Sequence, residues 1–301
     1  MRAVVTGGAG FIGSHVVDAL LARGDEVHLI DNLATGSRDN VPDGATLHVQ
    51  DIRADLAPLF DEAGPEAVFH LAAQADVGTS VEKPDFDAAV NVVGTVRVLE
   101  AARRADAPVV FTSTGGAIYG ECERPAREDD PRRPLSPYGT SKLAGEEYLA
   151  TWNRLYGTRN VVCRLGNVYG PRQLPSLEGG VIAIFLDRLR DGKPTQIFGD
   201  GGQTRDFVYV GDVARALLAA SARGDGVYNV GTGVATSVLD LHRLCARVAG
   251  SDAEPELVDA RPGELRDSVL DPSRAAQDLG WRPELDLEQG LQTTWRWVKE
   301  R

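Results

Sequence analysis

VVTGGAGFIGSH, residues 4–15, places Gly7, Gly10 and Gly13 directly after an apolar, β-branched run and at the start of a helical pattern. Glycine permits a tight turn and lets a ligand approach the backbone, so that a helix N-terminus can face a pyrophosphate. The spacing GxxGxxG is a variant of the dinucleotide fingerprint. Glycine turns also follow strands for purely structural reasons, but here the required context is present, strand before and helix after.

Outward from this loop, short β-branched runs alternate with longer helical patterns. Strands are expected over 3–6, 26–31, 46–50, 67–70, 108–112 and 160–164, and helices over 13–23, 86–105 and 138–156. Such alternation points to an α/β fold, a Rossmann-like doubly wound parallel sheet. Past Gly166 the pattern loosens through Pro171, Pro175, Gly179 and Gly180. A helix over 183–190, strand character at 207–210 and 227–230, and helices over 239–249, 273–279 and 287–298 follow. The reading is a cofactor domain over 1–166, with a return segment near 205–230, and a smaller, mostly C-terminal α/β substrate-binding domain over 167–301.

The 301 residues suffice for a full core, and 43% apolar with 25% charged residues is ordinary for a globular chain. Lys plus Arg number 32 against 44 Asp plus Glu, a formal −12 that argues against nucleic acid or an anionic membrane as partner. Cys122, Cys163 and Cys245 are scattered, with no metal-ligand spacing, which suits free thiols in a reducing compartment. No apolar run approaches the ~20 residues of a spanning helix. The expected location is the cytoplasm.

Asp31 ends the second strand, eighteen residues beyond Gly13. A carboxylate there accepts hydrogen bonds from ribose hydroxyls and repels a 2′-phosphate, and the following Asn32-Leu33-Ala34 supplies no Arg or Lys. NAD is therefore favoured over NADP; the plainer reading of Asp31 is a turn cap. Asp51-Ile52 follow the third strand and would flank the adenine. In "FHLAAQ", Leu71, Ala72 and Ala73 are small or apolar enough for close cofactor approach, whereas His70 reads as packing. Together with Phe11 and Ile12 of the glycine loop, these residues form the expected cofactor wall.

"SPYGTSK" sets Tyr138 and Lys142 at i, i+4, on one face of a helix. A phenol ionises near ~10, and a neighbouring ammonium pulls that value toward neutrality, the requirement for an acid/base group. Tyr138-x-x-x-Lys142 with Gly7-x-x-Gly10-x-x-Gly13 resembles the extended short-chain dehydrogenase/reductase superfamily. "NVVGT", "RLGNVYGPRQ", "IFGDGGQTRDFVYVGDVA", "YNVGTG" and "RPGELRDS" extend the resemblance along the chain, and it is most similar to UDP-glucose (UDP-galactose) 4-epimerases and related nucleotide-sugar enzymes.

The resemblance implies that Tyr138 is the acid/base, that Lys142 holds the NAD ribose and tunes Tyr138, and that Asn91 supports the cofactor site. It places the active-site hydroxyl on Thr114, with Ser113 as runner-up because one extra residue precedes Tyr119-Gly120. It implies Asn167, Arg205 and Arg261 as diphosphate contacts, Glu264 as a ribose contact, and Val181 and Phe198 on the substrate side. The implied reaction is NAD-dependent 4-epimerisation of a UDP-hexose, including the N-acetyl forms if the small Ser268 opens the pocket. A homodimer through the helices at 86–105 and 138–156 is implied as well. The rivals are a nucleotide-sugar 4,6-dehydratase or decarboxylase and a non-catalytic NAD sensor. Family dehydratases follow the active-site Thr with Asp-Glu; this chain has Gly115-Gly116, which cannot transfer protons. Sensors often lose Tyr or Lys; this chain keeps both.

Overall fold

The computed structural model describes residues 1–122, 124–175, 180–260 and 265–301. Its strands in chain order are β1 (Arg2–Thr6), β2 (Glu26–Asp31), β3 (Ala45–Val49), β4 (Ala67–His70), β5 (Val109–Thr114), β6 (Val161–Leu165) and β7 (Asn167–Tyr169). They continue with β8 (Gln196–Phe198), β9 (Thr204–Arg205), β10 (Phe207–Tyr209), β11 (Gly226–Val230), β12 (Thr236–Ser237), β13 (Glu256–Val258) and β14 (Asp267–Ser268).

Seven of them form one sheet, ordered β11-β6-β5-β4-β1-β2-β3 and parallel throughout. The order reverses between β1 and β4, and the crevice outside the strand ends at such a switch point is where doubly wound sheets take ligands. Residues of β1 alternate between two cores, as the two-residue period of a strand dictates. Ala3 and Val5 pack with Val16, Leu20 and Leu217; Val4 faces Phe60, Val98 and Leu99 on the other side. Both faces are thus covered by helices, which explains the continuous apolar runs.

A third core, around Tyr169, Phe185, Ile197, Leu241 and Leu291, supports the short strands β7–β10 and β12–β14. Two- and three-residue strands bury little by themselves, so side-chain bonds hold this part. Asp206 accepts from Thr232 N, Gly233 N and Leu270 N at 2.8, 3.1 and 3.2 Å. Burial nevertheless pushes its carboxyl above the usual range, against those hydrogen bonds.

The structure refines three expectations. The helix foreseen over 86–105 is Pro84–Ala88, a π-helical turn Ala89–Gly94 and Thr95–Arg104. That turn brings Gly94 against Ile52, where a Cβ would come within 2.6 Å of the Ile52 side chain. The 273–279 helix is π-helical over Ala275–Leu279. The return segment holds a helix, Val210–Arg223, beyond the foreseen strand character; it packs on Phe11–Ala22 beneath the sheet. No helix among the described residues is long and apolar enough to cross a membrane.

Candidate active site

One cleft of about 940 Å³ opens over the strand ends. Its first wall is the glycine loop. Gly7 has φ +71°, and a Cβ there would lie 2.6 Å from Ala72 N; a Cβ on Gly13 would overlap the carbonyl oxygen of Gly7. Backbone therefore packs directly on backbone, and Thr6 Oγ1 accepts from Ala72 N at 3.2 Å to fasten the two strand ends. Gly7, Gly10, Phe11, Ile12, Gly13, Leu71, Ala72 and Ala73 all face the cleft.

Asp31 ends β2 at the cleft. Its Oδ2 accepts from Ala9 N at 3.0 Å and its Oδ1 from Leu33 N at 2.8 Å, so the carboxylate braces the glycine loop while facing the cleft. Asn32, Asp51 and Ile52 line the same end. The Arg53 guanidinium, 2.7 Å from Asp51 Oδ2, holds the Asp51 carboxyl well below the usual carboxylate range. A turn that only glycine can make, a buried carboxylate at the second strand and an unbonded buried hydroxyl on Ser113 suit a dinucleotide. The residues present fit NAD.

The opposite wall carries the Tyr138/Lys142 pair. Pro137–Tyr156 starts at Ser136, whose Oγ accepts from Gly139 N, with proline in the first turn. Tyr138 and Lys142 share its inner face, and Thr114, at the end of β5, lines the cleft with them. Lys142 is 3% exposed, and its Nζ lies 4.5 Å from the centroid of the Phe111 ring. Burial lowers its pKa to about 8, with Glu146 and Asp87 pulling the other way. Ser113 also reaches the cleft, buried, with no hydrogen bond to its Oγ, so both candidate hydroxyls are present.

Asn91 stands behind this wall instead of in the cofactor lining. It is 2% exposed, donates to Gln74 O, Asp87 Oδ1 and Ser141 Oγ, and accepts from Gln74 N. It thereby ties the 71–76 loop to the helix carrying Lys142. His70 bridges Thr6 Oγ1 and Thr95 Oγ1 at 2.7 and 3.0 Å, and full burial lowers its pKa to about 3. It is a neutral structural imidazole.

The far end gathers Asn167, Val181, Phe198 and Arg205. Asn167 follows β6 and is fixed by its N–H to Asp206 O at 2.7 Å. Val181 opens the helix Val181–Arg190, whose N-terminus borders the cleft, and Arg205 Nη1 donates to Thr204 O. Arg261 and Glu264 lie outside the described residues. Ser268 is absent from the cleft lining; it stands beyond Gly116, where a Cβ would come 3.8 Å from Ser268 Oγ and 3.7 Å from Asn167 Oδ1. A Cβ on Gly115 would meet Leu270 at 2.5 Å.

Sequence reasoning missed Gln74, Gln173 and Arg188 in the cleft and the carboxylates Asp87, Glu146 and Asp206 behind it. Only Asp206 had a signal, its place beside Arg205 in "QTRDF". Among the described residues no cluster of His, Cys, Asp or Glu is placed to hold a metal.

Comparison with known proteins agrees with this geometry. Residues 3–231 match the NAD dependent epimerase/dehydratase family. A UDP-glucose 4-epimerase of Mycolicibacterium smegmatis is 47% identical over 304 residues, 98% of this chain and 97% of that one. The structure of UDP-glucose 4-epimerase from Thermotoga maritima with UDP-glucose matches with a TM-score of 0.98 and 44% identity, over 100% of this chain and 99% of that one. A Thermus thermophilus UDP-glucose 4-epimerase in complex with NAD matches with a TM-score of 0.94 and 46% identity, over 99% of both chains.

Proposed function

The chain belongs to the NAD dependent epimerase/dehydratase family, and from that premise we propose that it interconverts UDP-glucose and UDP-galactose. The observation that carries the reading is the shared cleft: the glycine loop, Thr114, Tyr138 and Lys142 face one cavity, with Asn167 and Arg205 at its far end. When bound, NAD accepts a hydride from the sugar and returns it, so no net oxidation occurs.

Tyr138, ionised with help from the Lys142 charge, takes the O4 proton, and the Thr114 hydroxyl orients that oxygen. A 4-keto sugar results; it turns over while Asn167 and Arg205 keep the diphosphate in place, and Tyr138 returns the proton to the new O4. Arg suits that anchor because its fork matches phosphate oxygens. Arg261 and Glu264 complete the nucleotide end in this reading.

The dehydratase alternative needs an acid and a base beside C5 and C6. A side chain at Gly115 would have to displace the Leu270 methyl groups, and neither Gly115 nor Gly116 carries a group that transfers protons. We further propose a homodimer through the helical layer of Pro84–Ala88, Thr95–Arg104 and Pro137–Tyr156. Tyr148 and Leu155 are exposed there, as is Val93 in the intervening turn Ala89–Gly94. Three free thiols, two of them buried, suit the cytoplasm.

The test is incubation of the protein with NAD and UDP-galactose, followed by NMR and absorbance. UDP-glucose without accumulated NADH is the expected outcome. A 4-keto-6-deoxy product, or no turnover of any nucleotide sugar, would overturn the reading.

A further inference from the structure

A buried ammonium requires a nearby opposite charge, because leaving it unbalanced costs several kcal/mol. Two carboxylates act on Lys142: Glu146, one turn along the same helix, and Asp87, on Pro84–Ala88. Glu146 is already neutralised. Arg164 donates Nε to its two oxygens at 3.0 and 3.2 Å and Nη2 to Oε2 at 2.7 Å, and both side chains are buried.

Asp87 is in a different position. It is 1% exposed, and its Oδ1 accepts only from neutral amides, Gln74 Nε2 at 2.9 Å and Asn91 Nδ2 at 3.1 Å. Its Oδ2 accepts no hydrogen bond at all. No cation bonded to it answers its charge, just as no carboxylate apart from the Arg164-bound Glu146 answers Lys142 along its own helix.

The other ionisable groups around Pro137–Tyr156 do not fill either role. His70 is neutral; Asp76, Glu82, Lys83, Asp85, Arg97 and Arg104 are exposed; Arg132 pairs with the exposed Glu147 at 2.7 Å and reaches Glu146 at 3.9 Å; Glu100 and Arg103 pair with each other at 3.1 Å; Cys163 is buried as a thiol. Asn91 links the two centres physically, donating to Asp87 on one side and to Ser141, the neighbour of Lys142, on the other.

We propose that Asp87 is the counterion of Lys142, a positioning residue that keeps the ammonium charged beside Tyr138. Its field opposes the burial that would neutralise the lysine, and the π-turn Ala89–Gly94 that follows it carries Asn91 toward Ser141. The effect on catalysis rests on the proposed roles of Tyr138 and Lys142; the charge pairing does not.

The experiment compares the NAD-loaded wild type with Asp87→Asn, Lys142→Met and the double variant. Asn retains an acceptor for Gln74 and Asn91 and removes only the charge. Each single substitution is expected to lower Tm, and the double to recover part of the summed loss, since neighbouring charges do not act additively. In epimerisation assays, Asp87→Asn is expected to lower kcat at pH 8 by about five-fold, with KM within about two-fold. The alkaline limb of the kcat–pH profile should fall by about one unit as Lys142 loses its proton more easily. Asp87→Glu should restore part of kcat, and Asp87→Ala none. Additive Tm losses, or an Asp87→Asn alkaline limb equal to the wild type's, would overturn the proposal. If Asp87→Asn alone does not fold, a folded double variant supports it and an unfolded one overturns it. A wild type without epimerase activity would remove the kinetic arm and leave the Tm cycle decisive.

Discussion

The two ends of the cleft are built by different means. At the cofactor end, long parallel strands stop together and the ligand wall is backbone; Gly7 packs on Ala72 with no side chain between. At the sugar-nucleotide end, strands of two or three residues are held by individual carboxylates such as Asp206. A wall of backbone fixes position through geometry, whereas a wall of side chains can change specificity by single substitutions. A family that keeps one cofactor and varies its sugars fits that division.

The largest effect tests whether chemistry resides where the two ends meet. Tyr138→Phe should lower kcat by about 10³-fold or more while NAD binding and Tm stay near wild type, checked by steady-state assay and protein fluorescence. Lost cofactor binding instead would move Tyr138 from chemistry to structure.

Next comes a pH test of the rigid end. His70 has a folded pKa of about 3, depressed by burial from 6.5. The unfolded chain therefore takes a proton below about pH 6.5 that the folded chain refuses, and stability falls as pH drops toward 3, by about 1.4 kcal/mol per unit from this residue alone. His70→Gln should show a shallower decline of denaturant midpoint over that window. An unchanged slope would mean that other groups dominate.

The adaptable end should respond in binding. If Arg205 holds the diphosphate as proposed, Arg205→Ala removes a charge-assisted contact worth about 1.5–3 kcal/mol, so KM for the UDP-sugar should rise about ten- to a hundred-fold with NAD affinity unaffected. An equal fall in kcat would place Arg205 in the transition state instead. The smallest expected effect is selective: Ser268→Tyr should reduce kcat/KM for UDP-GlcNAc more than for UDP-glucose. Equal losses would show that the position beyond Gly116 does not read the sugar's C2 group.

Legibility in sequence followed the same divide. Gly7, Gly10 and Gly13, Asp31 and the Tyr138/Lys142 pair were readable because local spacing alone sets their geometry. The strands were readable because burial on both faces leaves uninterrupted apolar runs. The break at Ala89–Gly94 was not, because it follows from Gly94 packing on Ile52, some forty residues earlier. The helix Val210–Arg223 was obscured by the aromatic and β-branched run Phe207-Val208-Tyr209 of β10 just before it. Asp87 looks like any surface acid in sequence, and Asp206 is marked only by its place beside Arg205; tertiary packing takes both out of water.

The segment after Thr114 gives the cleft a further property. Arg164 Nη1 bonds Tyr119 OH and Glu128 O, Ala126 pairs with Leu270, and Glu121 accepts from Arg266 N. The chain leaving Thr114 is thus sewn to the strand-end region of β14, and these bonds oppose widening of that flank. For an enzyme that must oxidise, invert and reduce within one encounter, a ketone that escapes strands the cofactor in its reduced form and halts the next cycle. A seam tied in this way opposes that leak, so fidelity here is a matter of stitching as much as of catalysis.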